Sequence, residues 1–183
     1  GTYILNANDM CMAPYLDKMC DAGVSSIKIE GRAKTEYYVA VTANAYRGAV
    51  DSLTSCNGEW TLPEWVGEEL NKISHRTYST GFYFGRPQNA QTYENAGYIR
   101  DYSIAAVVDG YKDGCILATL KNKFESGTVL DCLEAGSVPF SVDTSLLYDE
   151  NGKQIECAYQ PMSKIKIPFE RAVKTGSMLR MKI

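Results

Sequence analysis

The sequence has 183 residues, 45% hydrophobic and 22% charged, with a formal net charge of −3. These values are typical of a globular chain and argue against long disorder and a generally basic nucleic-acid binder, though not against a local basic patch. No apolar run approaches the ~20 residues that cross a bilayer, so we expect no membrane partner. The start lacks both an initiator Met and a signal-peptide pattern, and we therefore expect a piece of a longer protein.

The first segment, residues 1–55, alternates strand and helix. Strands are predicted at 3–5 and 24–29, with a short helix between them that Gly23 ends. A longer helix is predicted over 35–53. Its predicted apolar stripe consists of Val39, Ala43, Tyr46, Val50 and Leu53. This order implies parallel strands with crossover helices, and their exposed edges and faces indicate that they belong to a larger barrel or sheet.

The middle segment, residues 56–97, is predicted to be a connecting helix and linker. Thr61 and Glu64 match the capping box of a helix that runs from about Leu62 to Ser74. The segment also contains His75, the sole histidine of the sequence. Because no nucleophile or acid partner is evident beside it, we expect a helix cap or a packed ring rather than a catalytic base.

The last segment, residues 98–183, changes to a period of two. Dipeptides such as Asp113-Gly114 and Thr175-Gly176 mark turns between its predicted strands. The strand candidates are 103–109, 115–121, 128–134, 140–148, 155–159, 164–169 and 178–183. Regularly spaced short strands favour an antiparallel barrel or a small sandwich. The fold class is thus α+β, with partial β/α units, a connecting helix and an all-β antiparallel barrel.

The six cysteines give no metal-binding pattern. They are scattered, without a CxxC motif or a histidine at ligand spacing, and they are Cys11, Cys20, Cys56, Cys115, Cys132 and Cys157. This distribution predicts neither a zinc or iron–sulfur site nor a disulfide framework in this chain. We expect reduced thiols, no metal ligands, no cofactor in this chain and a cytoplasmic protein.

The densest polar cluster is the run Lys-Ile-Glu-Gly-Arg-Ala-Lys at 28–34, which follows a predicted parallel strand. Active groups gather at the carboxyl ends of such strands. Glu30 is a candidate base or hydrogen-bond acceptor, Arg32 a candidate anion fork, and Lys34 a candidate cation of the same loop. The alternative is a solvated turn with an ion pair. No Gly-rich phosphate loop, HExxH or GxSxG motif occurs.

Basic residues are concentrated near the end of the chain. Residues 161–183 contain a single acidic residue, Glu170, against the six basic residues Lys164, Lys166, Arg171, Lys174, Arg180 and Lys182. The four strand members, Lys164, Lys166, Arg180 and Lys182, are expected on outer strand faces. Such a basic stripe is a candidate contact for an RNA backbone, or else an ordinary solvated strand face.

The runs at 3–11, 22–34, 37–39, 45–47 and 80–85 together resemble peptidase family U32, with Lys-Ile-Glu-Gly-Arg as the most specific element. The resemblance implies the C-terminal portion of a longer protein, in which a β/α barrel precedes a small β-barrel. Members are described as peptidases or collagenase-like proteases. Others are similar to proteins that hydroxylate tRNA or rRNA with prephenate-linked chemistry and an iron–sulfur cluster, whose cysteines would lie upstream of this chain.

Only Glu30, Gly31, Arg32 and Lys34 map onto the motif of that family, and no nucleophile is carried over. The first hypothesis is a U32 peptidase in which the Glu30 and Arg32 loop lines the site. The second is a tRNA or rRNA hydroxylation protein whose basic stripe contacts RNA, and the third is a non-catalytic interaction module. Expected partners are a peptide or RNA substrate, the missing N-terminal barrel, and a second copy of the isolated chain, which we expect to be inactive alone.

Overall fold

The computed structural model describes residues 6–87, 91 and 97–183. The chain divides into two compact units, Gly1–Asp101 and Tyr102–Ile183. The strand predicted at 3–5 lies outside the described residues. The three-part division at 1–55, 56–97 and 98–183 stays a prediction. Within the described ranges, none of the helices combines the length and apolarity that a bilayer span requires.

The first unit contains three helices, each close to its predicted position. Helix α1 (Leu16–Asp21) follows a 3-10 turn, and Gly23, at φ +83°, supplies the left-handed residue that ends it. Helix α2 (Glu36–Ser55) begins where the Thr35 hydroxyl accepts a hydrogen bond from the Tyr38 amide at 3.3 Å. Helix α3 is Glu64–Asn71.

The capping box predicted for α3 is wrong. Pro63 occupies the N-cap position, and no side chain caps the helix. Glu64 is therefore the first helical residue rather than the third, so it lies too early to reach back to the Thr61 amide.

Helix α2 buries a different face from the predicted stripe. Its buried apolar residues are Tyr37, Val41, Ala45 and Ala49. Their small side chains allow close packing against α1 and α3 in a core of Ala13, Leu16, Ala45, Ala49, Val66 and Leu70. Four of the five predicted stripe residues, Ala43, Tyr46, Val50 and Leu53, instead line a surface groove beside residues 24–29, while Val39 is exposed.

Two short parallel strands complete the described part of this unit. They are β1 (Asp9–Met10) and β2 (Tyr78–Ser79), with Asp9 opposite Tyr78. The strand predicted at 24–29 is wrong, since these residues belong to no helix or strand. A strand needs a hydrogen-bonded neighbour. Among the described residues, the parallel neighbour of β1 is β2, which follows α3 in the chain.

The second unit is an antiparallel sheet that encloses its own core, including Ile116, Leu120, Leu130, Ile167 and Leu179. Its strands are β3 (Tyr102–Lys112), β4 (Cys115–Leu120), β6 (Leu130–Leu133), β7 (Phe140–Val142), β8 (Tyr148–Asp149), β10 (Lys164–Pro168) and β11 (Met178–Lys182). Their order is β7-β6-β11-β3-β4-β10-β8. Two further strands, β5 (Phe124–Glu125) and β9 (Cys157–Ala158), pair separately.

The period-two pattern therefore predicts this unit well, but the closed barrel is wrong. The sheet ends at β7 and β8, which do not pair with each other, so it is a curled, half-barrel sheet. The single strand predicted over 140–148 is interrupted because the Asp143 carboxylate accepts hydrogen bonds from the Ser145 amide and hydroxyl at 2.9 and 2.7 Å. This local turn replaces ladder hydrogen bonds and leaves two short edge strands.

Candidate functional site

A pocket of about 330 Å³ lies in the first unit, where β1 and β2 end side by side. The Cys11 amide donates to the Ser79 carbonyl at 2.9 Å, which continues the parallel pairing one residue past β1. The pocket walls come from the end of β1, the loop at 27–30, Lys34 and helix α2. Ligand sites of α/β proteins characteristically lie at this edge of a parallel sheet.

Three tyrosines line the pocket, and burial raises the pKa of each one above its ordinary value. Tyr78 donates to the Leu70 carbonyl at 2.5 Å, and Tyr46 lies 3.9 Å from the Cys11 sulfur. Tyr38 is partly open. The phenols remain protonated around neutral pH, so they offer neutral hydrogen-bonding groups and aromatic faces rather than anionic bases.

Two of the three predicted loop residues line this pocket, and the third does not. Glu30 and Lys34 line it, whereas Arg32 is exposed and is not among its lining residues. Glu30 accepts a hydrogen bond from the Arg32 amide at 3.0 Å and lies 3.8 Å from the Lys28 ammonium. This run therefore forms a turn with an ion pair, which was the alternative interpretation. Glu30 and Lys34 of the same run also line the pocket.

Lys34 is held between two aromatic rings. Its Nζ lies 5.1 Å from the centroid of Tyr38 and 4.9 Å from that of Tyr98. Lys34 lies just before the Thr35 cap of α2, and Tyr38 lies in the first turn of that helix. Both distances are within the range of cation–π attraction. The ammonium is therefore positioned without a carboxylate partner being needed to hold it.

Two arginines lie against the same Tyr98 ring. The Cζ of Arg76 is 4.9 Å and that of Arg100 is 6.0 Å from its centroid. An antiparallel bridge between His75 and Ile99 brings them together, since it places Arg76 beside Tyr98 and Arg100 beside Ser74, to which Arg100 donates at 3.1 Å. We call Lys34, Tyr38, Arg76, Tyr98 and Arg100 the Tyr98 cluster.

The family scan matches both units of the chain. Residues 1–93 match the model of "Peptidase family U32", and residues 100–180 match "Peptidase family U32 C-terminal domain". The chain belongs to peptidase family U32. The resemblance drawn from the Lys-Ile-Glu-Gly-Arg element is thus confirmed.

The proteins that this chain is similar to carry two kinds of name. The chain is similar to tRNA hydroxylation protein P1 of Bacillus subtilis, 25% identical over 97% of this chain, and to tRNA hydroxylation protein P of Escherichia coli, 33% identical over 84%. An uncharacterized protease of Methanocaldococcus jannaschii is 35% identical over 61% of this chain. The chain covers 43%, 33% and 28% of these proteins, respectively, so it spans less than half of their length.

The sole histidine of this U32 chain is a packed ring, as predicted. His75 is buried, its ring stacks on Tyr78 with centroids 4.3 Å apart, and its Nδ1 lies 2.7 Å from the Arg76 carbonyl. In the described part of the chain no three His, Cys, Asp or Glu side chains converge as metal ligands. The six cysteines are unpaired and do not form a ligand set, so the described residues do not fit an iron–sulfur cluster.

Several of the terminal basic residues have carboxylate neighbours in the second unit. Lys164 pairs with Asp109 at 3.0 Å, and Glu134 lies 3.7 Å from Arg171 and 3.9 Å from Lys174. Lys166 is half-buried, and Lys182 is exposed at the end of β11.

The outer-face position predicted for Arg180 is wrong, because its side chain has no exposed surface. Pairing between β11 and β3 moves from Leu179–Ala106 to Arg180–Ile104 and so skips Ala105. This bulge breaks the alternation of faces, and Leu179 and Arg180 are consequently both buried.

Proposed function

We propose that this chain is the C-terminal part of a tRNA-modifying protein and that the Tyr98 cluster contacts the RNA. Two relatives that match more than four-fifths of this chain are named tRNA hydroxylation proteins. Those names describe the relatives. What carries the proposal for this chain is a partly exposed aromatic ring with three cations around it, beside a pocket at the edge of a parallel sheet.

This combination suits single-stranded RNA for a physical reason. Unpaired bases stack on aromatic side chains, and Lys or Arg groups beside the ring bind the phosphates that accompany each base. Two carboxylates of the same pocket have other contacts: Glu30 is close to Lys28, and Asp9 accepts from the Arg76 amide at 3.1 Å. We expect RNA to contact the cluster rather than the terminal stripe, because Lys164 and Arg180 of that stripe pair with carboxylates.

A peptidase is the second candidate, and the relative named an uncharacterized protease favours it. Its candidate residues are Glu30 and Lys34 at the pocket and Arg32 beside it, with a peptide as substrate. A histidine-assisted nucleophile does not fit the described residues, because His75 is buried against Tyr78. A peptidase mechanism would have to use other groups.

The remaining parts of the proposal concern the whole protein. We propose that residues 1–55 complete a larger β/α barrel whose other strands come from an N-terminal part, and that an iron–sulfur cluster, where the family has one, is held there. The groove along α2 is consistent with such a neighbour, as are the outer edges of β1 and β2, which have no strand partner among the described residues. A second copy is the alternative in the isolated chain. The unpaired cysteines agree with a cytoplasmic location.

The test is tRNA binding by the 183-residue chain across a salt series. Lys34→Glu is expected to weaken binding at least tenfold and to reduce the slope of log affinity against log salt by about one. Lys182→Glu is the charge-matched control, and it is expected to have a much smaller effect. A parent chain that does not bind tRNA, or a loss confined to Lys182→Glu, would contradict the proposal. Gelatin hydrolysis by the longer protein that disappears in Glu30→Gln would favour the peptidase instead.

A further inference from the structure

The turn that follows β2 presents three consecutive aromatic side chains to solvent. Phe82 is 78% exposed, Tyr83 60% and Phe84 54%. Exposed apolar residues occur singly on most soluble proteins, but a contiguous group of large rings indicates an interaction surface. Neither the pocket nor the Tyr98 cluster uses these residues.

The backbone of this turn is structured, so the rings are held outward. The Tyr83 amide donates to the Thr80 carbonyl at 3.3 Å, and the Gly85 amide donates to the Phe82 carbonyl at 3.1 Å. Gly81 and Gly85 have φ values of +57° and +96°, which a glycine adopts without strain. A preorganised turn loses little conformational entropy when a ligand covers its rings.

One of the three rings packs on another aromatic side chain. Phe84 packs on Tyr15 with centroids 4.7 Å apart, and the Lys18 ammonium lies 5.3 Å from the Phe84 ring and 5.7 Å from the Tyr15 ring. Phe82 and Tyr83 are the more exposed pair. A cation thus lies beside the aromatic surface, as it does at Tyr98.

The turn also borders the candidate pocket. Met10 lines that pocket, and a Cβ placed on Gly81 would lie 3.2 Å from its sulfur. A nucleotide that enters the pocket would remain joined to its neighbours in the strand, and these neighbours need a surface near the pocket mouth. Phe82 and Tyr83 directly follow Gly81 in this turn.

We propose that Phe82 and Tyr83 stack unpaired nucleobases next to the nucleotide that enters the pocket. This inference rests on the proposed function. Charge selects RNA over an apolar protein partner, because residues 80–86 contain no acidic side chain, while Arg86 belongs to the turn and Lys18 lies against it. Stacked bases in a duplex cannot offer their faces to such rings.

The experiment compares two RNAs, a stem closed by an unpaired loop and a blunt duplex of the same stem, for binding to the 183-residue chain. Phe82→Ala and Tyr83→Ala are tested with Tyr159→Ala as the control, because Tyr159 is a 72% exposed tyrosine of the second unit. Each of the two variants is expected to weaken binding of the loop RNA by about 5- to 100-fold, the range for one stacked base. Duplex binding and the Tyr159→Ala variant are expected to change less than about twofold.

The two proposals fail in different ways. If the parent chain binds the loop RNA, and both turn variants bind it as tightly as the parent, the stacking surface is wrong while the proposed function stands. An equal loss for loop and duplex would also overturn the stacking surface. If the parent binds neither RNA nor tRNA, the proposed function fails and this inference fails with it. Phe82→Tyr, which retains a ring, is expected to restore the affinity that Phe82→Ala loses.

Discussion

Arg180 donates from both Nε and Nη2 to one carboxylate oxygen of Asp131, at 3.0 and 2.6 Å, and the two residues are cross-strand neighbours in β11 and β6. The arginine side chain is fully buried, whereas the aspartate side chain is 24% exposed. Arg180, a cation of β11, is thus part of the interior of the second unit.

We predict that Arg180→Ala destabilises the chain by roughly 3 kcal/mol, because it leaves Asp131 without its charged partner and creates a void. The value is at the low end for a broken buried pair, since Asp131 retains some contact with water. Denaturant unfolding measures the change. Lys182→Ala on the same strand serves as the control, with an expected change within about 0.5 kcal/mol. Equal stability of the two variants would contradict the buried pair.

Two helical glycines should respond in opposite ways to alanine. A Cβ on Gly48 of α2 would lie 2.3 Å from the Trp65 ring, whereas on Gly67 of α3 it would meet only Leu62, at 4.0 Å. Gly48→Ala should therefore cost about 1–3 kcal/mol through displacement of the indole, while Gly67→Ala should gain about 0.5–1 kcal/mol from helix propensity. Thermal unfolding of both variants tests this, and a stabilised Gly48→Ala would contradict the α2–α3 packing.

Alkaline pH should destabilise the first unit through Tyr78. Burial raises its pKa above the ordinary value of 10.0, so the folded state retains the phenolic proton more tightly than the unfolded state. The associated stability is complete below pH ~10 and declines as the pH rises further. Tyr78→Phe should reduce this alkaline decline, and it should cost about 1 kcal/mol at neutral pH through the lost hydrogen bond to Leu70.

The control for this pH dependence is Tyr159→Phe, since Tyr159 is exposed. Unfolding free energies measured from neutral to alkaline pH should decline equally in this variant and in the parent. A decline of the same size in Tyr78→Phe would show that another group is responsible.

Cysteine reactivity should separate the buried and exposed thiols. Burial raises the pKa of the Cys132 thiol to about 12, whereas Cys20 and Cys56 are exposed. At neutral pH iodoacetamide should alkylate Cys20 and Cys56 first, and Cys132 should react only as fast as its unit opens. Peptide mapping over time gives the order. Early labelling of Cys132 in the folded chain would contradict its position in the core.

The features that the sequence predicts well are local. Helix α2 follows from its apolar periodicity and the Thr35 cap, and the hairpin at Asp113-Gly114 follows from a dipeptide that readily adopts positive φ, here 51° and 75°. The buried face of α2 was not predictable in the same way. Large apolar side chains line one face, but the small residues Ala45 and Ala49 allow the closest packing and therefore occupy the core.

The features that the sequence does not predict depend on distant pairing. Tyr98 approaches Arg76, and Arg100 approaches Ser74, because His75 and Ile99 form a bridge, and no local pattern indicates that pairing. Arg180 is buried because of a bulge at Ala105, and a strict alternation of faces cannot anticipate it.

The most direct measurement of the central claim is ultraviolet cross-linking of tRNA to the 183-residue chain, followed by mass spectrometry of the linked peptides. Contact through the Tyr98 cluster predicts cross-links to the peptides that carry Lys34 and Tyr98, and Lys34→Glu should reduce them. Cross-links confined to residues 164–182 would contradict it and would instead assign the RNA contact to the sheet of the second unit.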